Sequence, residues 1–141
     1  MLPSLDDQLC FALYAASRAM TAAYAPLLDA IGLTYPQYLA MLVLWREDGL
    51  RVSHLGERLA LDSATLTPLL KRLETAGLVT RKRSSEDERV VEVFLTAAGK
   101  KLEKRAESVP PCIFERAGLS MKELVALRQQ LQELAVRLRT P

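Results

Sequence analysis

The segment from Leu61 to Leu95 constrains the fold most, because a helical pattern and two strand-like patterns succeed one another within it. Gly77 lies between them and suits the left-handed conformation at which many helices end. Two valine-rich runs, VTRKR and VVEVFL, then flank the polar stretch SSEDER, which predicts a β-hairpin. The helix is indicated by leucines three and four residues apart, as on the buried face of an amphipathic helix: Leu66, Leu69, Leu70 and Leu73.

Hydroxyl and basic side chains dominate the outward side of this helix and the hairpin. A helix of this kind can enter the major groove of DNA while the hairpin lies over the adjacent minor groove. We therefore predict a winged helix-turn-helix. Asp87 lies two residues before Arg89 and can hold its guanidinium for entry into a narrow minor groove. The residues expected to contact DNA are Ser63, Thr65, Thr67, Pro68, Lys71, Arg72, Asp87 and Arg89.

Two further helices are predicted near the N-terminus. The first is capped by Ser4 or Asp6, and Pro26 should bend or end it. The second opens with a T-x-x-Q capping box formed by Thr34 and Gln37, and its apolar composition predicts that it is buried.

A short helix with Ser53 as its cap is predicted over Val52 to Ala60, followed by a turn at residues 61–63. Pro68 conflicts with a helix that begins at Ser63, because an interior proline removes a hydrogen bond and clashes with the preceding turn. Either the helix begins near Thr67 or its first turns are distorted, and the sequence leaves both open.

Two helices are predicted after the hairpin. Thr96 caps the first, which the Pro110-Pro111 pair should break, leaving the PPCIF stretch irregular. The second begins at Ser120, where Glu123 completes a capping box. It carries an apolar stripe of Leu124, Leu127, Leu131, Leu134 and Leu138.

The whole chain is therefore expected to be mainly α-helical with a small β-hairpin, arranged in three regions. Residues 1–33 are expected to form a dimerisation and sensor helix, residues 34–95 the winged helix-turn-helix, and residues 96–141 C-terminal dimerisation helices. The terminal leucine stripe either packs on its own domain or pairs with a second subunit. We favour a homodimer on double-stranded operator DNA, because helix-turn-helix proteins commonly contact two half-sites as dimers.

Composition excludes several classes of function. The net charge of +2 does not by itself imply nucleic acid, so the clustering of basic residues between Lys71 and Arg89 carries that inference. No apolar run approaches the roughly 20 residues of a membrane span, and the N-terminus lacks signal-peptide features, so we expect a cytoplasmic protein without membrane contact. Metal-ligand spacing, a phosphate-binding loop and a catalytic triad are absent from the sequence, so we predict no cofactor, no metal and no enzyme.

The residues just described resemble the MarR family of bacterial regulators, through LDSATLTPLLKRLETAGLVTR, the D-x-R wing and the following LTAAG. DDQLCFALYAASRAM and LTYPQYLAMLVLW are similar to its organic-hydroperoxide-sensing OhrR branch. The resemblance implies that Cys10 is the peroxide-reactive thiol and that Tyr24 and Tyr35 hydrogen-bond its thiolate across the dimer. It also implies that Cys112 can form an intersubunit disulfide. An organic hydroperoxide would then be the inducer and cellular thiols the reductant.

Other interpretations remain open on the residues alone. Most free cysteines act as small buried hydrophobes, and Cys10 fits that pattern by spacing; Asp6 and Asp7 also disfavour a thiolate beside them. A second functional hypothesis is a repressor of the same family that is released by a small aromatic ligand. A third is a thiol peroxidase, which would have no use for a basic wing.

Overall fold

A computed structural model describes all residues of the chain, Met1–Pro141. Its backbone divides into two compact units, residues 1–107 and residues 108–141, which are described separately. The elements follow a short 3-10 turn at Leu5–Asp7 and are, in order, α1 Leu9–Asp29, α2 Tyr35–Arg46, β1 Leu50–Arg51, α3 Val52–Leu59, α4 Ser63–Thr75, β2 Val79–Arg83, β3 Val91–Leu95, α5 Ala97–Ala106, α6 Val109–Ala117 and α7 Met121–Arg139.

The core of the first unit confirms the helical periodicity that was predicted for the segment now seen as α4. All four leucines of the α4 pattern are buried, and α2 contributes Met41 and Leu44, neither of which is exposed. Full burial of a side chain of this size stabilises the fold by about 1.5–3 kcal/mol. The predicted burial of α2 is also confirmed, with Leu42 as an exposed exception.

A three-stranded antiparallel sheet with the order β1-β3-β2 forms the wing. The predicted hairpin is β2 and β3, with Arg81 opposite Val93. The strand β1 was not predicted, because two residues are too few to show an alternating pattern. Asp48 secures the sheet at this end, since its Oδ1 accepts hydrogen bonds from the backbone N–H of Leu95 at 2.8 Å and of Gly49 at 2.9 Å.

The structure confirms some predicted helix starts and corrects others. Both capping boxes are present, at Thr34 for α2 and at Ser120 for α7. The predicted caps of α1 are wrong, because its N-cap is Gln8, while Ser4 donates a hydrogen bond to Asp7 within the preceding 3-10 turn.

Around the helix-turn-helix, two boundaries also differ from the prediction. Arg51 is the N-cap of α3, and Ser53 is the second residue inside that helix. The helix α4 begins at Ser63, not after it, because the Oδ1 of Asp62 accepts a hydrogen bond from the backbone N–H of Thr65 at 2.8 Å.

The prolines test several of the predicted helix boundaries. Pro26 does not end α1, which continues to Asp29, so the ending that was expected as an alternative to a bend is wrong. Pro68 lies inside α4, so the alternative of a helix that begins near Thr67 is wrong. An interior proline costs about 3 kcal/mol, and burial of the four leucines on α4 offsets such a cost at Pro68. Pro110 and Pro111 do not produce an irregular stretch. They lie in the first turn of α6, where a missing N–H leaves no intrahelical bond unmade.

The helix α5 is held against the rest of the first unit at Gly99. The indole Nε1 of Trp45 donates a hydrogen bond to the Gly99 carbonyl at 2.9 Å. Gly99 is buried, and a Cβ at this position would collide with the carbonyl oxygen of Leu78. Thr96 caps α5 and also donates to the carbonyl of Gly77 at 2.6 Å, so the wing, α4 and α5 meet at one point.

The second unit consists of α6 and α7. No residue of α7 is buried, and its predicted apolar stripe is largely open to solvent in the single chain. Leu127 is 46% exposed, Leu131 39% and Leu138 76%.

Candidate DNA interface and thiol site

The outward face of α4 carries every DNA-contact residue that was predicted on this helix. The leucines between these residues are buried. The predicted contact residues themselves are all exposed: Ser63, Thr65, Thr67, Pro68, Lys71 and Arg72. The Asp62 carboxylate holds the start of the helix, and the hydrogen bonds from Thr65 lower the pKa of Asp62. The cap therefore stays ionised at neutral pH and keeps this face in a fixed orientation.

The structure brings Asp87 and Arg89 together at the tip of the wing. The Nε and Nη2 of Arg89 each donate to one carboxylate oxygen of Asp87 at 3.2 Å, and the Arg89 backbone N–H donates to Oδ1 at 3.0 Å. These hydrogen bonds, together with the charge of Arg51, lower the pKa of Asp87. The Arg89 side chain remains 90% exposed, so its guanidinium is held in place and still available to a ligand.

Two contacts that the sequence analysis missed fix the wing. Arg81 forms an ion pair with Glu74 in the last turn of α4, with 3.1 Å between Nε and Oε2, and the hydrogen bond from Arg81 lowers the pKa of Glu74. Arg83 donates to the carbonyl of Glu88 at 2.8 Å across the hairpin. The sequence shows that Arg81 and Arg83 are basic. It does not show their partners, the Glu74 carboxylate and the Glu88 carbonyl, because these depend on the register of the hairpin.

Cys10 is an exposed free thiol at the second residue of α1. Its Sγ lies 3.6 Å from the Oε1 of Gln8, to which it donates a weak hydrogen bond. An open cleft of about 570 Å³ surrounds it and is lined by Leu5, Phe11 and Tyr14 among others. In the single chain Cys10 is thus not buried, and its thiol faces a mainly apolar space. Gln8 was not singled out from the sequence.

Tyr24 and Tyr35 pack together at the junction of α1 and α2, with ring centroids 5.0 Å apart. Tyr38, which the sequence analysis did not select, completes the cluster at 5.7 Å from Tyr24. Burial raises the pKa of all three phenols, and the neighbouring tyrosine rings add to this for Tyr24 and Tyr38. The phenols therefore remain protonated hydrogen-bond donors at neutral pH.

Within one chain Tyr24 is too far along α1 to reach Cys10. It lies fourteen positions after Cys10 in this continuous helix, which corresponds to about 21 Å at 1.5 Å per residue.

Cys112 is also an exposed free thiol, but it lies in the helix α6 rather than in an irregular stretch. Across the chain, His, Cys, Asp and Glu side chains form no group of three or more that could hold a metal ion.

Comparison with known proteins identifies the family. The family described as "Transcriptional regulator SarA/Rot" matches residues 22–105. The organic hydroperoxide resistance transcriptional regulator of Bacillus subtilis is 52% identical over 130 residues, which cover 92% of this chain and 88% of that protein. The chain belongs to the MarR/SarA family of winged-helix transcriptional regulators.

Among solved structures, this MarR/SarA regulator is similar to the Staphylococcus epidermidis protein AbfR in three redox states. Reduced AbfR bound to DNA matches with a TM-score of 0.79 and 36% identity, over 95% of this chain and 94% of that one. Disulfide-formed AbfR matches with a TM-score of 0.68 and 37% identity, over 93% and 92% of the two chains. Overoxidised AbfR bound to DNA matches as well as the reduced form, with a TM-score of 0.79 and 35% identity, so the present fold is more similar to the two DNA-bound forms than to the disulfide form.

The winged helix-turn-helix is confirmed by the fold and by its similarity to MarR/SarA regulators. The individual DNA contacts stay predictions, as do the roles of the cysteines and tyrosines. No helix in the chain is both long and apolar enough to cross a membrane.

Proposed function

We propose that this regulator is a homodimeric repressor that releases its operator when an organic hydroperoxide oxidises Cys10. The observation that carries the proposal is the exposed Cys10 thiol in an open apolar cleft. An apolar cleft favours a peroxide with an organic substituent over hydrogen peroxide, because it can bury the substituent. The 52% identity to a regulator of organic hydroperoxide resistance supports the same substrate class.

Two observations support the dimer. Leu127, Leu131 and Leu138 of α7 expose apolar surface in the single chain, and surface of this extent commonly marks a protein interface. The separation of about 21 Å along α1 means that Tyr24 must belong to the partner subunit if it donates to the Cys10 thiolate. The N-terminal region 1–33 and the C-terminal region 96–141 are therefore proposed to form the dimer, and residues 34–95 to contact DNA.

The chemistry proposed for Cys10 begins with attack of its thiolate on a peroxide oxygen. An S–O bond forms and the O–O bond breaks, so the sulfur is oxidised to a sulfenic acid and the peroxide is reduced to an alcohol that takes up a proton. The phenols of Tyr24 and Tyr35 stabilise the thiolate as donors because they remain protonated. Cys112 of the partner subunit then attacks the sulfenic sulfur, which forms an S–S bond and releases water. Cellular thiols restore both cysteines by exchange.

Loss of DNA affinity follows if oxidation changes the spacing of the two α4 helices. A dimer contacts half-sites about 34–36 Å apart, so a rotation of either subunit places one α4 outside its groove. For AbfR, the present fold is less similar to the disulfide form than to the reduced and the overoxidised DNA-bound forms, which supports a change of chain conformation on disulfide formation.

The decisive experiment compares binding to the upstream DNA of the chain's own gene before and after one equivalent of cumene hydroperoxide. Cys10→Ser is the matched control, because Cys10 lies outside the predicted DNA-contact surface and a hydroxyl cannot form a sulfenic acid. We expect the wild type to release DNA and Cys10→Ser to bind normally and stay bound. Release from Cys10→Ser, or release by a phenolic ligand without oxidation, would contradict the proposal.

A regulator of this kind consumes one peroxide for each thiol and is not an enzyme in function. We therefore expect about one equivalent of alcohol per Cys10 in the absence of thiols. Sustained rapid turnover with excess peroxide and dithiothreitol, at the rate of a dedicated peroxidase, would instead favour the thiol peroxidase hypothesis.

A further inference from the structure

A basic cleft lies between the wing and the start of α3. Thr67 and Arg89 in its lining are predicted DNA contacts, whereas Arg51 and Ser53 have no DNA-contact role so far. The volume of the cleft is about 350 Å³ and no acidic side chain lines it. The polar lining comes from three places: Arg51 and Ser53 around the start of α3, Thr67 on α4, and Arg81 and Arg89 on the wing.

Arg51 is the arginine of this cleft that forms no ion pair, although its charge acts on the carboxylate of Asp87 from a longer distance. Arg81 is paired with Glu74, and Arg89 is held by Asp87. Arg51 makes no ion pair, although Glu92 lies opposite it in the register of β1 and β3. The Arg51 side chain is exposed, so its charge is available to an anion from outside the chain.

The position of the cleft indicates which anion this is. Thr67 lies on the face of α4 that is proposed to enter the major groove, and Arg89 is proposed to enter the adjacent minor groove. The phosphodiester strand forms the boundary between the two grooves of a duplex. A cleft that lies between these two elements therefore faces the DNA backbone.

We infer that Arg51, assisted by the Ser53 hydroxyl, holds a backbone phosphate of the DNA in this cleft. The inference rests on the proposed DNA contacts of α4 and the wing. Guanidinium groups suit phosphate because they donate two hydrogen bonds in one plane. A contact of this type fixes the position of the protein on the duplex and carries no sequence information. Arg51 is thus a DNA-positioning residue, distinct from Arg89.

The salt dependence of DNA binding tests this role, because each phosphate contact releases counter-ions. Neutralising one contact lowers the slope of log K against log salt by about 0.9, so Arg51→Gln in both subunits should lower it by about 1.8. The ratio of wild-type to variant affinity should then grow by about sevenfold when salt falls from about 0.15 M to about 0.05 M. The loss should be equal on the upstream DNA of the chain's own gene and on a random duplex of the same length.

Two control variants separate the contact from a loss of structure or of net charge. Arg51→Lys keeps the positive charge, so its slope of log K against log salt is expected to be close to that of the wild type. If Arg51 acted only as the N-cap of α3, keeping the charge would not restore the slope. Lys104→Gln removes one positive charge from the last turn of α5, outside the cleft, and is expected to leave the slope unchanged. Equal slopes for wild type and Arg51→Gln would overturn the inference.

The phosphate could also come from a free anion, so inorganic phosphate is titrated into the protein without DNA. Saturable binding that Arg51→Gln abolishes, together with an unchanged slope on DNA, would assign the cleft to a free anion and overturn the DNA contact. Failure of the wild type to bind either duplex would contradict the proposed function itself. Normal binding of both duplexes with the same slope in Arg51→Gln would contradict only the role of Arg51.

Discussion

Asp87 and Arg89 are paired at the wing tip, so we predict that substitutions at these two positions reduce DNA affinity in a way that is not additive. Arg89→Ala removes a guanidinium that is 90% exposed and packs against little, so the folded state should not change. If Arg89 enters the minor groove, DNA binding should weaken by about 1–3 kcal/mol for each wing, or about 5- to 150-fold.

The effect of Asp87→Ala can be estimated from the contacts it removes. Three hydrogen bonds to Asp87 restrain Arg89 before DNA arrives. The rotamer entropy of an arginine side chain is worth about 2 kcal/mol, so losing this restraint should weaken binding by at most about 30-fold for each wing. Asp87 acts only through Arg89, and its own charge repels phosphate. The double variant should therefore bind no more weakly than Arg89→Ala alone.

The assay is a fluorescence-anisotropy titration of the four proteins at one salt concentration, with thermal unfolding as the control for folding. Additive losses in the double variant would refute the argument that Asp87 positions Arg89. Equal affinity of Arg89→Ala and wild type would remove the wing tip from the DNA interface.

Three further predictions concern the fold and the thiol chemistry. Gly99→Ala should destabilise the protein by about 1–3 kcal/mol, because its Cβ meets the Leu78 carbonyl, and a denaturant titration measures the loss. Tyr24→Phe and Tyr35→Phe should each slow the reaction of Cys10 with cumene hydroperoxide in stopped-flow measurements, and equal rates would exclude the phenols as donors. Peroxide-treated wild type should run as a covalent dimer on non-reducing gels and revert with dithiothreitol. In Cys112→Ser, mass spectrometry should instead find sulfinic or sulfonic acid on Cys10 under excess peroxide.

Local sequence was sufficient for the parts of the fold that local interactions determine. The period of the α4 leucines and the capping boxes at Thr34 and Ser120 depend on residues within one or two turns, and the structure confirms them. Strand β1 could not be predicted, because its two residues become a strand only by pairing with β3. The same limit applies to Pro68, whose place inside α4 depends on the burial of leucines that follow and precede it.

The residues of the candidate site likewise divide into those that local sequence identifies and those that only tertiary contacts reveal. Cys10 and the wing pair were accessible from the sequence, since motif resemblance and a spacing of two residues identified them. Tyr38 and Arg51 were missed, because their importance depends on the residues that α1 and the wing bring next to them. No spacing in the sequence joins Arg51 to Arg89.

The position of Cys112 inside a helix changes how the proposed disulfide would act on DNA binding. A mobile loop could close the bond without disturbing its neighbours, but Cys112 lies in a helix whose first turn contains two prolines. A disulfide needs Cα atoms within about 7 Å of each other, so we expect an approach to Cys10 of the partner subunit to displace α6 or to unwind part of it. Only Glu107 and Ser108 separate α6 from α5, and only Thr96 separates α5 from the last strand of the wing. If the proposed disulfide forms, we expect any effect on DNA binding to be carried along this short stretch of chain to Thr96, which donates a hydrogen bond to the carbonyl of Gly77 just after α4.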